Sequence, residues 1–129
     1  MARLLSGMED SAGLLRRILR PRRHSYTVKL RAIMEAEYPW VIEDLKNMVC
    51  PFCGRRARSW WGMWRHIRKS HELEVRQVAM DVVAKYYKSR RVIERVHYGN
   101  VERFLVRPIG VWYSSFGEAY LALKSLVSA

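Results

Sequence analysis

The chain has 129 residues, one domain's worth by length, and half of them are hydrophobic, which excludes a disordered tail. Lys and Arg number 24 against 12 Asp and Glu; the net charge of +12 points to a polyanionic partner, nucleic acid before an anionic membrane surface. No stretch reaches the roughly 18 uncharged apolar residues of a spanning helix, and the N-terminus lacks a signal peptide's apolar core, so an intracellular, cytoplasmic setting is expected.

The spacing predicts a short helix over Ser11 to Leu19, with Leu14, Leu15, Ile18 and Leu19 on one side and Pro21 as its stop. Its other side and its exit form a basic arm of Arg16, Arg17, Arg20, Arg22 and Arg23. A second helix is expected from Thr27, as its cap, to Tyr38, and a third from Pro39 to about Met48 with Trp40, Val41 and Leu45 on an apolar stripe. Beyond residue 71, Leu73, Val75, Val78, Ala79, Val82, Val83, Tyr86 and Tyr87 recur with the helical period, so an unbroken helix to about Lys88 is expected. Two short strands around a Tyr98-Gly99-Asn100 turn follow. In them Val92, Glu94 and Val96, then Val101, Arg103 and Leu105, alternate. A third strand at Val111 to Tyr113 and a last helix from Phe116 to Val127, opened by a Ser115/Glu118 capping box, complete an α+β chain.

The stretch CPFCGRRARSWWGMWRHIRKSH, residues 50 to 71, stands apart. It carries Arg55, Arg56, Arg58, Arg65, Arg68 and Lys69 without one acid, so half of the net charge falls in 22 residues. Cys50, Cys53, His66 and His71 lie in the same stretch as Cys-x2-Cys-x12-His-x4-His. A CxxC knuckle brings two thiolates together, and two histidines about one helical turn apart can complete a tetrahedron around a metal. Both cysteines sit in one pair beside histidines, which favours a metal site over a disulfide. Four protein ligands would close the coordination shell and leave no position for a reactive water.

Over about residues 48 to 71 the sequence resembles the C2H2 (two-cysteine, two-histidine) zinc-finger family, and is similar to its small single-finger proteins of archaea and archaeal viruses. The resemblance implies a ββα finger holding Zn2+ through Cys50, Cys53, His66 and His71, with Ser59, Gly62 and Arg65 at the base-reading positions. Two features depart from the family: Ala57 stands where an aromatic is usual, and Met48 where another is common. One of Trp60, Trp61 or Trp64, or the neighbouring helices, would have to replace the missing ring. Gly62 has nothing to offer a base edge, whereas Arg65 can address guanine.

The expected organisation is a helical segment with a basic arm (1–49), the finger (50–71), and a long helix, β-hairpin and C-terminal helix (72–129), packed as one unit. The expected function is nucleic-acid binding, first as a DNA-binding transcriptional regulator. The alternatives are a structural RNA-binding or ribosome-associated protein and a protein-interaction module, or homodimer, docking through the tryptophan face. Candidate contacts are Arg55, Arg56, Arg58, Ser59, Trp61, Arg65, Arg68 and Lys69, with the arm from Arg16 to Arg23. With no phosphate loop or nucleophile motif, no enzymatic activity and no small-molecule substrate are expected.

Overall fold

The computed structural model describes residues 11–20 and 25–128. Among them lie six helices and one three-stranded sheet, an α+β architecture. In chain order these are α1 (Ser11–Leu19), α2 (Ser25–Glu37), α3 (Pro39–Lys46), α4 (Trp60–Ser70), α5 (Glu72–Ser89), β1 (Ile93–Tyr98), β2 (Val101–Val106), β3 (Val111–Tyr113) and α6 (Phe116–Ser128). Chain packing forms two compact units whose boundary falls inside α5, one ending at Val82 and the other beginning at Val83.

The first unit is built on helices α1 to α4. Leu15 and Ile18 of α1, Leu30, Ile33 and Met34 of α2, Val41 of α3, and Met63 and Ile67 of α4 are fully buried. Each such side chain contributes about 1.5–3 kcal/mol. Thr27, expected as a cap, instead lies buried inside α2, which starts two residues earlier. Tyr38 donates to Asp81 Oδ2 over 2.7 Å, tying the loop before α3 to α5.

Helix α3 ends in a left-handed turn that aims the chain into the cysteine hairpin. Val49 N–H donates to Asp44 O, Met48 N–H donates to Leu45 O, and Met48 has φ +59°. This is the Schellman pattern, with methionine at the position usually held by glycine.

In the second unit β1 pairs with β2 and β2 with β3, all antiparallel, in register Ile93 to Val106 and Phe104 to Tyr113. A two-residue loop joins the first pair, with positive φ at Gly99 as a turn with glycine first demands. The alternation read through Val92, Val96 and Leu105 marks one face of the hairpin, but burial falls on the opposite one, at Ile93, Phe104 and Val106. Helix α6 decides this by packing on β2, with the Phe116 ring 5.9 Å from Phe104 and 6.2 Å from Tyr86. Half of the expected capping box forms: Glu118 N–H donates to Ser115 Oγ, while the Glu118 carboxylate accepts from Ser114.

Candidate metal centre and basic face

The hairpin carrying the cysteines is minimal. One antiparallel bridge, Val49 to Arg56, replaces two full strands. Cys50 N–H donates to Arg55 O and Gly54 N–H to Cys50 O, both at 2.8 Å, and Ala57 N–H donates to Met48 O at 2.9 Å. Gly54 turns the knuckle at φ +79°, a conformation that strains any side chain. Helix α4 then starts at Ser59, whose Oγ accepts from Gly62 N–H at 3.0 Å. A Cβ on Gly62 would meet that oxygen at 3.1 Å, so glycine keeps this cap relaxed.

The expected unbroken helix is interrupted at His71, which has φ −132° and ψ 32° between α4 and α5. Helical geometry gives the reason. Residues five apart stand about 140° apart around a continuous helix, too far for two imidazoles to share one centre. Leaving helical dihedrals at His71 swings its ring back beside His66, with ring centroids 5.0 Å apart. The break is capped on both sides, since His71 N–H donates to Ile67 O and Val75 N–H donates to His71 O.

The ligand atoms of Cys50, Cys53, His66 and His71 all lie within 4.8 Å of one another, a group that could hold a metal ion. Cys53 Sγ is 3.2 Å from His66 Nε2. His71 Nδ1–H donates to Glu74 Oε2 at 2.6 Å, which directs Nε2 into the cluster. That Nε2 is buried with no hydrogen-bond partner. A buried orphan nitrogen costs about 1–3 kcal/mol, and a metal bond is what its position suits.

The cluster is electrostatically divided. Burial raises the Cys50 thiol above its ordinary value. Cys53 is lowered to about 6, first by the backbone N–H of Arg55 and then by the imidazoles of His66 and His71. Burial alone would lower His71, but the Glu74 hydrogen bond and the Cys53 sulfur outweigh it and leave the imidazole raised.

The ring missing at Ala57 is supplied by Phe52, inside the CxxC loop. Phe52 lies 5.5 Å from the His71 ring and 6.5 Å edge-on to Trp40, so the cysteine hairpin rests against the start of α3. The tryptophans divide. Trp64 is 8% exposed beneath the Arg16 guanidinium, Trp60 is 40% exposed beneath Arg20, and Trp61 is 71% exposed with Arg65 over its ring. Phe52 and Glu74 were not singled out from sequence. Glu74 stands three residues after a metal-spaced histidine, a spacing that could have flagged it.

At 100° per residue, Trp61, Arg65, Arg68 and Lys69 occupy an arc of about 100° on α4, opposite buried Met63 and Ile67. All four are exposed, as are Arg55, Arg56 and Arg58 beside the hairpin. Arg16, Arg17 and Arg20 are exposed on α1 and its exit, with Arg16 and Arg20 brought against α4; Arg22 and Arg23 lie outside the described residues. Of the arginines in and beside the β1–β2 hairpin, Arg95 lies 3.7 Å from Glu102 and Arg107 3.4 Å from Glu94, and Arg90 covers Tyr86 and Tyr87. No described helix is long and apolar enough to cross a membrane. No family model, curated protein or solved structure matches the chain.

Proposed function

We propose that this chain is a zinc-stapled nucleic-acid-binding protein, a DNA-binding regulator that grips phosphates with the outer face of α4 and the adjoining hairpin. The observation that carries this reading is the placement of six exposed cations, in a stretch whose sequence contains no Asp or Glu, around one four-ligand metal cluster. Two thiolates and two imidazoles are the donor set of a structural zinc site, and bonds of about 2.0–2.3 Å imply tetrahedral edges of roughly 3.3–3.8 Å. The 3.2 Å between Cys53 and His66 is close to that size, and the 4.8 Å limit on the whole set is about 1 Å wider, a gap that drawing the four donors onto one ion would close. Cys50 and Cys53 would bind as thiolates and His66 and His71 through imidazole nitrogens, joining the hairpin to the end of α4. The shell is then closed, so the metal serves the fold and the function falls to the exposed cations.

Base reading has little support beyond Arg65, because Ser59 Oγ is held in the helix cap and Gly62 carries no side chain. Arg65 itself lies over Trp61. Phosphate contacts therefore supply most of the affinity. A second reading, binding of unpaired bases in RNA or single-stranded DNA, draws on the exposure of Trp61, whose ring suits stacking.

The test is a salt titration of the zinc-loaded chain with duplex DNA, single-stranded DNA and structured RNA of matched length. Six phosphate contacts correspond to a log–log slope of about −5 on duplex DNA, and Arg65→Gln should reduce it by about one. Preference for unpaired strands would favour the second reading. Binding that ignores salt, or no binding to any of the three, would remove both.

A further inference from the structure

Beside the basic arc, on the flank of α4 that carries Trp60 and Trp64, lies a cavity of about 200 Å3 walled by α1, α2, α3 and α4. Its lining divides by chemistry. Leu19, Ile42, Leu45 and the two indoles make an apolar bed, and Arg16, Arg20, Arg31 and Lys46 supply four cations, with no acidic side chain among the described lining residues. An apolar ligand would leave the cations unexplained, and a bare phosphate would leave the apolar bed unexplained.

We propose that this cavity is a nucleotide pocket, taking one planar base on its apolar bed and that nucleotide's phosphate on the rim arginines. The proposal deepens the nucleic-acid reading and rests on it only for the case in which the nucleotide belongs to a strand. Size limits the ligand. The cavity is smaller than the roughly 300–1,000 Å3 of sites for drug-sized molecules, so it admits a single ring system and leaves the phosphate at the mouth.

The arginines are already arranged for an anion. The Arg16 guanidinium lies 5.7 Å from the Trp64 ring centroid and that of Arg20 lies 5.3 Å from Trp60. Cation–π contact of this kind restrains each guanidinium beside the cavity, which lowers the side-chain entropy left to lose when a phosphate arrives. Arg31 has a different task. It donates to Leu19 O at the end of α1 and pairs with Glu35 at 2.9 Å, which fixes the wall. The C-terminal ends of α1 and α3, at Leu19 and Lys46, each bring about half a negative charge. Together they offset one cation, the Glu35 carboxylate offsets Arg31, and the mouth stays positive through the remaining two charges.

The experiment uses the zinc-loaded full chain and follows the indole N–H resonances by NMR, with Trp60 assigned through Trp60→Phe. AMP, adenosine, inorganic phosphate and a single-stranded deoxyadenylate hexamer are titrated separately. AMP or the hexamer is expected to shift the Trp60 and Trp64 signals. Adenosine and phosphate, each using half of the site, should bind at least about tenfold more weakly. Arg16→Gln and Arg20→Gln lie on exposed positions and preserve the fold, and each should weaken AMP about tenfold. A stronger response to AMP than to the hexamer identifies a free nucleotide as the ligand, and the reverse identifies an unpaired strand residue. Adenosine binding as tightly as AMP, a double Arg16→Gln/Arg20→Gln variant binding AMP like the parent, or no shift at Trp60 with either nucleotide would overturn the proposal. The AMP arm does not depend on duplex binding, so a chain that ignores duplex DNA yet takes AMP would separate this site from the finger's function.

Discussion

Cys53→Ser isolates what the metal does for this fold. Cys53 is exposed, so replacing sulfur with oxygen removes a ligand while leaving the core packing untouched. The hairpin from Val49 to Arg56 orders eight residues, at a backbone cost of about 1–2 kcal/mol each, or about 8–16 kcal/mol. Its three backbone hydrogen bonds, at Cys50, Gly54 and Ala57, return only about 2–4 kcal/mol. The shortfall of about 4–14 kcal/mol overlaps what structural zinc binding contributes, about 10–16 kcal/mol. Without the fourth ligand the hairpin should therefore open, while α1 to α4 persist on their own buried side chains. Metal analysis should show one zinc per parent chain and none per variant. Hydrogen exchange should show the amides of Cys50, Gly54 and Ala57 protected only in the parent, and far-ultraviolet circular dichroism should retain most of its helical signal. One zinc per variant chain, or protected hairpin amides in the metal-free variant, would refute this account.

Glu74→Gln should weaken zinc about 10–100-fold without unfolding the chain, because the carboxylate that orients His71 is lost while the four ligands remain; competition with a chelator measures it. Metal affinity should fall with pH across the range, because zinc must displace the proton of the raised Cys50 thiol, and more steeply below about 6, where Cys53 of the metal-free chain also takes up a proton; a zinc titration between about pH 5 and 8 reads the change of slope. In the metal-free chain the two shifts act oppositely. Stability from the lowered Cys53 is present at high pH and is lost as pH falls through about 6. Stability from the raised His71 is present at low pH and is lost as pH rises through its folded value. Met48→Val should cost about 1–2 kcal/mol in denaturant unfolding, since a β-branched residue resists φ +59°, whereas Met48→Asn should cost less.

Much of the centre was legible because metal ligation is a matter of residue type and spacing. Cys50, Cys53, His66 and His71 converge as their spacing implied. The same spacing also contained the signal for the helix break, since histidines five positions apart do not fit one helical face. Apolar periodicity through Val75 and Val78 masked it, because that pattern runs on through the C-terminal side of the break. Phe52 was opaque for another reason. A ring between two cysteines can point either way, and only the nearness of Trp40 and His71 gives it a place.

Local chemistry in the sequence determined the helices α1, α2, α3 and α6 to within a few residues, the three strands, the turn at Gly99, the metal donors and the concentration of positive charge. These depend on neighbours along the chain. Tertiary structure decided which hairpin face is buried, because both parities carry apolar residues and only the docking of Phe116 on Phe104 distinguishes them. It also decided the fates of three adjacent tryptophans. Trp64 and Trp60 meet arginines of α1 and its exit because that helix packs on α4, and Trp61, about 100° around the helix from Trp60, meets only Arg65 and solvent among the contacts described. Side-chain exposure is a property of what packs alongside, and residues far apart in the chain supply it.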